Sequence, residues 1–250
     1  MSVIFLDVGQ GEAVLVRTAE GDILINAGSD ATEAMLCAHL RQLGVKELAL
    51  MVFTSPDSNR VGGGDGVLKE FAVGEVWFNG SFEENESTYR LGLAINRETT
   101  SLHRTDVRNY FQLGGLTLGV LFPFLNAVTE DNMVLRLVCG EERMILMGAA
   151  TAELEQRICE AYDRTVLQSS VLSVGRSGSN SATTQRLLDA VSPRYAVISC
   201  EENNLYGNPS GEVLALLEAA EVRVLRTDRL GEIVFCCDGG EFYIPDDVDE

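Results

Sequence analysis

The fold is decided by residues 48–63, which read Leu48-Ala49-Leu50-Met51-Val52-Phe53-Thr54-Ser55-Pro56-Asp57-Ser58-Asn59-Arg60-Val61-Gly62-Gly63. The first six residues of this stretch are apolar, as is typical of a strand that is buried on both faces of a sheet. A polar loop follows, and the glycines lead into a helical segment. Functional groups in α/β proteins usually lie in such a loop, at the carboxyl end of a strand. We therefore expect the functional site at residues 54–60.

Strands and helices continue on both sides of this stretch. Predicted strands cover residues 3–8, 13–17, 22–26, 48–53, 75–78, parts of 101–121, 133–139, 143–147, 171–174, 195–199, 222–226 and 232–236. Predicted helices cover residues 30–44, 64–71, 83–95, 152–162, 183–191 and 210–220. Two sheets packed face to face, each covered by helices, account for this order, so we predict an α/β (α+β) protein built as a four-layer αββα sandwich. Because no Pro/Ser-rich linker interrupts the chain, we expect a single domain over residues 1–250, made of two similar halves (about 1–121 and 122–250).

The composition restricts the classes of partner. The 250 residues are 46% hydrophobic, which is enough for a sizeable core, and they carry a net charge of −19. Such a field repels phosphate backbones, so the composition disfavours nucleic acid as a partner. The surface is expected to be acidic, as in many soluble bacterial proteins.

The cysteines and the N-terminus favour a cytoplasmic location. None of the six cysteines shows C-x-x-C spacing, and most lie in apolar segments, so we expect reduced core thiols. Residues 1–7 lack the basic region and cleavage site of a signal peptide and are predicted to lead into the first strand. No apolar run reaches the roughly 18 residues that a membrane-spanning helix needs.

Five short motifs lie at predicted strand ends or turns: Phe5-Leu6-Asp7-Val8-Gly9-Gln10-Gly11-Glu12-Ala13, Ile23-Leu24-Ile25-Asn26-Ala27-Gly28, the loop at 54–63, Gly175-Arg176-Ser177-Gly178-Ser179 and Tyr206-Gly207-Asn208-Pro209. Together they resemble the metallo-β-lactamase superfamily, and most closely the hydrolase-like domain of ComEC/Rec2 proteins. That family has aspartate at the positions of Glu12 and Asn26. The resemblance covers almost the whole chain and implies the metallo-β-lactamase-like αββα fold.

The resemblance also implies a metal site, but the ligand residues of the family are replaced in this chain. In the family, histidines and a bridging aspartate hold two zinc or manganese ions, and the ions generate a hydroxide for hydrolysis. The family's ligand positions correspond here to Ser55, Asp57, Asn59, Arg60, Ala149, Arg176 and Asn208. The surrounding glycines and prolines are kept, and the whole chain contains only two histidines. We therefore predict no metal and no other cofactor.

The replacements suggest a salt-bridge cluster in place of the ions. Arg60 and Arg176 stand where the resembling family has histidine, and two acidic ligands are neutral here. We expect both arginines to converge on Asp57, or on Asp7, because buried charges are tolerated only when they are paired. If the arginines are unpaired, the same cleft is an anion pocket. Asp57 and Asp7 could alternatively hold Mg²⁺ or Ca²⁺ weakly.

Other routes to catalysis have less support in the sequence. Ser55 and Ser177 could act as nucleophiles only with a nearby base, and we predict structural roles for His39 and His103. Glycines 62–66 precede a helix and could hold a phosphate, but they lack the Lys-Ser/Thr of a P-loop, so close packing is the simpler interpretation.

The predicted function is that of a catalytically degenerate, metal-free pseudoenzyme with a binding or interaction role. Its partner would be a protein or a small anionic ligand. The alternative is a hydrolase of the ComEC/Rec2-like type, a nuclease or phosphodiesterase, with a site remodelled around Asp57, Arg60 and Arg176.

Overall fold

Two mixed β-sheets form the centre of the protein. The structure, a computed structural model, describes residues 1–125 and 131–245. The strands are β1 (Ser2–Phe5), β2 (Val14–Arg17), β3 (Asp22–Ile25), β4 (Glu47–Phe53), β5 (Ala72–Phe78), β6 (Ser101–His103), β7 (Tyr110–Leu113), β8 (Leu116–Phe122), β9 (Val134–Cys139), β10 (Glu142–Leu146), β11 (Val171–Ser173), β12 (Tyr195–Ile198), β13 (Arg223–Arg226), β14 (Ile233–Cys237) and β15 (Phe242–Tyr243). The first sheet has the order β15-β14-β1-β2-β3-β4-β5-β6, and the second has the order β13-β12-β11-β10-β9-β8-β7.

Several of the helices begin after a short polar side chain that caps them. The helices are α1 (Glu33–Gln42), α2 (Ser58–Val61), α3 (Gly64–Glu70), α4 (Glu86–Glu98), α5 (Ala152–Ala161), α6 (Arg164–Leu167), α7 (Gln185–Val191), α8 (Gly211–Ala219) and α9 (Thr227–Leu230). The Asn85 side chain accepts a hydrogen bond from the Thr88 amide at 3.0 Å and thereby caps α4. The Ser210 hydroxyl does the same for Val213 in α8, at 3.2 Å. Short polar side chains start helices in this way because they satisfy amides that have no partner within the helix.

The predicted four-layer αββα sandwich is confirmed by three apolar clusters. One cluster lies between the sheets and joins Phe5 and Val52 of the first sheet to Leu118 and Leu135 of the second. Another covers the outer face of the first sheet with α1, α3 and α4. The third covers the outer face of the second sheet with α5, α7 and α8. Each sheet is thus buried on both faces, which explains the uninterrupted apolar run that forms β4.

The two sheets do not coincide with the two predicted halves of the chain. The chain passes from the first sheet to the second between β6 and β7, and its last two strands return to the first sheet. Residues 126–130 and 246–250 of the predicted second half lie outside the described residues. Among the helices that the structure describes, none has both the length and the apolar composition needed to cross a membrane.

The central loop differs from its prediction in one respect. Residues 58–61 form a helical turn, α2, where the sequence analysis expects loop. Asp57 caps this turn by accepting a hydrogen bond from the Asn59 amide at 3.0 Å. Gly62 then packs so closely on the backbone that a Cβ atom there would lie 2.2 Å from the Asp30 amide nitrogen. The structure thus gives these glycines the packing role that was expected.

Candidate functional site

A polar cleft of about 530 Å³ opens at one end of the sandwich. Four segments line it: residues 10–12, which follow β1, the turn α2 with its cap, the turn at 176–180, and the loop at 206–210. The motifs at 5–13, 54–63, 175–179 and 206–209 therefore approach one another at this cleft. Gly148, which follows β10, contacts the same site through its carbonyl oxygen. Most of the side chains that line the cleft carry hydroxyl, amide or charged groups.

Arg60 forms the floor of the cleft. The side chain is only 8% exposed, and it donates hydrogen bonds to acceptors from three different segments. Nε contacts Oε2 of Glu12 at 3.2 Å, and Nη1 contacts Oδ2 of Asp57 at 3.2 Å. Nη2 donates to the carbonyl oxygen of Gly148 at 3.0 Å. Because both carboxylates are within hydrogen-bond distance, the buried positive charge is compensated.

Glu12 is the buried carboxylate partner of Arg60, a role that the sequence alone does not predict. It is buried, and its carboxylate also accepts hydrogen bonds from Asn26 Nδ2 at 3.1 Å and from Ser173 Oγ at 3.1 Å. Asn26 follows β3 in the first sheet, whereas Ser173 ends β11 in the second. The Glu12 carboxylate therefore links the two sheets at the floor of the cleft.

Asn26 extends this buried network to the end of β4. Its side-chain oxygen accepts hydrogen bonds from the amide of Thr54 at 2.8 Å and from the hydroxyl of Thr54 at 3.1 Å. The side-chain NH2 group of Asn26 must therefore face Glu12, to which it donates a hydrogen bond. An aspartate at this position would have no N–H to donate. An asparagine at this position is consistent with a neighbouring glutamate that carries a negative charge.

Gly148 joins the floor of the cleft to its rim. Its carbonyl oxygen accepts from Arg60 Nη2 and also from the backbone amide of Arg176, at 2.9 Å. The residue has a positive φ of 55°, and a Cβ atom would lie 2.8 Å from the hydroxyl oxygen of Thr54. The positive φ and the close approach of Thr54 both favour glycine here. The next residue, Ala149, is buried and offers no donor atom to the cleft.

Arg176 lies at the rim and has a different environment from Arg60. Arg176 and Ser177 both have left-handed backbone conformations, with φ of 52° and 54°. Such conformations are uncommon for residues with side chains and often occur at functional sites. Arg176 is exposed, lines the cleft and forms no ion pair with any residue of 1–125 or 131–245. Its backbone carbonyl accepts a hydrogen bond from Asn208 Nδ2 at 3.4 Å.

The loop at residues 201–209 forms the opposite rim and is organised by Asn204. The Asn204 side chain donates to the carbonyl oxygens of Glu201 and Asn208, and its oxygen accepts from the amides of Tyr206 and Asn208. Within this hydrogen-bonded loop, Leu205 is 100% exposed and Tyr206 is 69% exposed. Tyr206 also lines the cleft. The loop thus presents apolar groups to solvent at a site where the backbone is fixed.

The base of this loop is held by α9. The hydroxyl of Thr227 accepts from the amide of Cys200 at 3.0 Å and donates to its carbonyl oxygen at 3.1 Å. Arg226 lowers the pKa of Asp228 through hydrogen bonds of 2.9 and 2.5 Å. Burial, with a further contribution from Asp228, raises the pKa of the Cys200 thiol to about 11, so this thiol stays protonated at neutral pH.

The observed salt-bridge cluster therefore contains other residues than the predicted one. Arg60 pairs with Asp57 as anticipated, but Glu12 takes the place that was assigned to Asp7. Asp7 is exposed and accepts a hydrogen bond from the Gly9 amide at 3.2 Å. Arg176 does not join the cluster. Glu12 is buried within hydrogen-bond distance of Arg60, whereas Asp7 and Arg176 are both exposed to solvent.

The remaining predicted site residues are near the floor or the rim. Ser55 is buried, and its hydroxyl accepts a 3.4 Å hydrogen bond from the amide of Asp57. Asn59 is half-buried and lines the cleft, while its carbonyl oxygen accepts from the Glu12 amide at 3.1 Å. Asn208 is half-buried on the rim. These residues shape the cleft and hold its segments together.

The two histidines lie away from the cleft, as expected. His39 contacts Glu232 at 2.8 Å, and His103 contacts Glu75 at 3.0 Å. Neither is among the residues that line the cleft, so neither can serve as a base for Ser177. All six cysteines are free thiols.

The donor set of the cleft does not fit the two transition-metal ions that the resemblance implies. Such ions prefer imidazole, thiolate and carboxylate ligands. Within the described parts of the chain, the lining carboxylates are Glu12 and Asp57, and both accept hydrogen bonds from the Arg60 guanidinium. A cation is thus already fixed between the only strong ligands that line the site.

Comparison with solved structures defines the class of the protein. The fold is similar to that of the metallo-β-lactamase fold protein YhfI from Bacillus subtilis, with a TM-score of 0.62 and 9% identity over 93% of this chain and 98% of that one. It is also similar to Zn²⁺-bound PqqB from Methylobacterium extorquens, with a TM-score of 0.58 and 12% identity over 90% of this chain and 98% of that one. The chain therefore has the metallo-β-lactamase fold.

Sequence comparison narrows the resemblance to competence proteins. The chain is 30% identical to competence protein ComA of Neisseria gonorrhoeae over 238 residues, which is 94% of this chain and 32% of that protein. It is 26% identical to ComE operon protein 3 of Bacillus subtilis over 93% of this chain and 32% of that protein. The predicted resemblance is thus confirmed, and the chain spans about a third of the length of these relatives. No protein-family model matches the chain.

Proposed function

We propose that the protein is a metal-free, catalytically degenerate form of the metallo-β-lactamase fold and that its cleft binds a ligand or partner without hydrolysing it. The observation that carries this proposal is the environment of Arg60. A buried guanidinium, held by Glu12, Asp57 and the Gly148 carbonyl oxygen, lies on the floor where the family's metal ligands would converge.

The charge balance of the floor supports the proposal. Arg60 supplies a fixed positive charge, and the Glu12 carboxylate is held beside it by Asn26 and Ser173. A divalent ion at this place would have to displace the guanidinium from both carboxylates, and the buried arginine would then lose its partners. Leaving a buried charge unpaired costs several kcal/mol, about 3 to 5 in comparable cases.

The hydrolase alternative has less support. It requires Asp57, Arg60 and Arg176 to act on a substrate, but Arg60 donates to three acceptors within the protein. That leaves Asp57 and Arg176 exposed at the cleft, and no histidine is among the described residues that line it. The net charge of −19 also opposes a nucleic-acid substrate, although one relative is named as a competence protein.

The proposal is tested by assaying hydrolysis of bis(p-nitrophenyl) phosphate with added Zn²⁺, Mn²⁺ or chelator. We expect no turnover above background under any of these conditions. The matched variant is Asp57→Asn, which removes the exposed carboxylate of the cleft. Metal-dependent turnover in the natural protein that disappears in Asp57→Asn would contradict the proposal and restore the hydrolase alternative.

A further inference from the structure

We infer that the cleft binds a polyhydroxylated ligand with a single anionic group, that is, a sugar that carries one carboxylate or one phosphate. This inference rests on the proposed function, because it assigns a ligand class to the same cleft. It is carried by three features of the same cleft: an arginine without an ion-pair partner among the described residues, a lining of neutral polar side chains, and an exposed aromatic residue on an ordered loop.

Arg176 determines the charge of the ligand. Of the two arginines that line the cleft, Arg60 is committed to Glu12 and Asp57, whereas Arg176 has no ion-pair partner among the described residues and can bind a ligand. A guanidinium binds a carboxylate or a phosphate through two parallel hydrogen bonds. Asp57 is exposed nearby and the whole chain is strongly acidic, so a second anionic group would be repelled. A ligand with one anionic group is therefore the best match.

The lining determines the rest of the chemistry. Around Arg176, the cleft is lined by Ser179, Asn180, Asn59 and other amide or hydroxyl side chains. These groups both donate and accept hydrogen bonds, as a ligand with several hydroxyl groups requires.

Tyr206 provides the apolar contact that such a ligand needs. Its ring is 69% exposed, and it lies on the rim of the cleft. The loop that carries it is held by the four hydrogen bonds of Asn204, so little ordering is required when a ligand binds. The C–H face of a sugar ring is apolar and packs against an aromatic face of this kind. The volume of about 530 Å³ lies within the range of small-molecule sites.

The test is isothermal titration calorimetry of the full chain with four compounds: glucuronate, glucose 6-phosphate, glucose and AMP. We expect both sugar anions to bind with a Kd of about 1 mM or below, and glucose to bind at least tenfold more weakly. Comparison of glucuronate with glucose 6-phosphate shows whether the anion is a carboxylate or a phosphate. AMP serves as a monophosphate that presents a flat base and fewer hydroxyl groups.

Two pairs of variants connect binding to the named residues. Arg176→Gln should weaken binding of the sugar anions about tenfold, whereas Arg97→Gln, at a 77% exposed side chain on α4, should not change it. Tyr206→Ala should weaken binding about fivefold, whereas Tyr110→Ala, at a residue 66% exposed on β7, should not.

Two outcomes would overturn the inference. One is that none of the four compounds binds, or that AMP binds and the sugar anions do not. The other is that the sugar anions bind equally well to Arg176→Gln and to the natural protein. Neither outcome affects the proposed function, because that is judged by hydrolysis and by metal content.

Discussion

The floor and the rim of the cleft each contain an arginine where the resembling family has a histidine, yet the two side chains have opposite environments. Arg60 on the floor is 8% exposed and donates to Glu12, Asp57 and a backbone carbonyl. Arg176 on the rim is exposed, and no described residue forms an ion pair with it. Arginine in place of histidine has therefore given one buried, paired guanidinium and one exposed guanidinium.

The difference shows that partners and burial, and not residue type, decide what an arginine does. A buried guanidinium with two carboxylates is a structural link, because its charge is fully committed within the protein. An exposed guanidinium that lines a polar cleft remains available to a ligand. The comparison predicts that substitutions on the floor change stability, whereas substitutions on the rim change binding.

The largest effect is expected for Arg60→Ala. This change leaves the buried Glu12 carboxylate without its cation and should lower the free energy of unfolding by about 3 to 5 kcal/mol. Urea denaturation followed by circular dichroism measures it. Arg176→Ala is the matched control and should stay within about 0.5 kcal/mol. If the two variants are equally stable, the distinction between floor and rim is wrong.

A smaller effect is expected for Glu12→Gln. Glutamine keeps the shape of the side chain but removes the charge that faces Arg60, so the loss should be about 2 kcal/mol. The exposed Glu84→Gln should change stability by less than about 0.5 kcal/mol. In the double variant Arg60→Ala/Glu12→Gln, the losses should be less than additive by at least about 1 kcal/mol. Strict additivity would mean that the two residues do not interact.

Arg226 and Asp228 provide a pair of intermediate exposure and a pH-dependent test. Arg226 lowers the pKa of Asp228 in the folded protein below its value in the unfolded chain. The pair therefore stabilises the protein above the unfolded pKa, and this stabilisation is lost as the pH falls through the folded pKa. Asp228→Asn should lower the free energy of unfolding by about 1.5 kcal/mol at pH 7. The difference in this free energy between the variant and the natural protein should shrink steadily below pH 4. A difference that is constant from pH 7 to pH 2 would contradict the assigned cause.

The smallest effect on stability is expected for Arg176→Gln, which should change the free energy of unfolding by less than about 0.5 kcal/mol. The reason is that no described contact of its side chain is lost. Thermal unfolding of the variant beside the natural protein measures this. If the free energy of unfolding fell by 2 kcal/mol or more, Arg176 would belong to the salt-bridge cluster of Arg60, Glu12 and Asp57, as the sequence alone predicts for the two arginines.

Local patterns in the sequence predicted most of the fold. The apolar run of β4, for example, sets a strand because its pattern acts over a few neighbouring residues. The turn α2 was missed because four residues are too short to show a helical period, although Asp57 is a suitable cap. Short elements of this kind depend on their caps and on their packing.

The candidate site was predicted in part. The sequence located the cleft and the pair Arg60–Asp57, which are three residues apart on one helical turn. It did not identify Glu12 as the main partner, because that contact joins residues 48 positions apart. The available signal was a glutamate where the resembling family has the shorter aspartate. The exposure of Arg176 depends on the turn at 176–178, which no local pattern specifies.

The most direct test of the account is the metal content of the purified protein. The protein is incubated with Zn²⁺ and Mn²⁺, freed of excess metal by gel filtration, and analysed by inductively coupled plasma mass spectrometry. If the Arg60 guanidinium stands in place of the ions, each chain should retain much less than one ion. Close to two ions per chain would contradict this account and would mean that the cleft holds the family's dinuclear centre through ligands other than those assigned here.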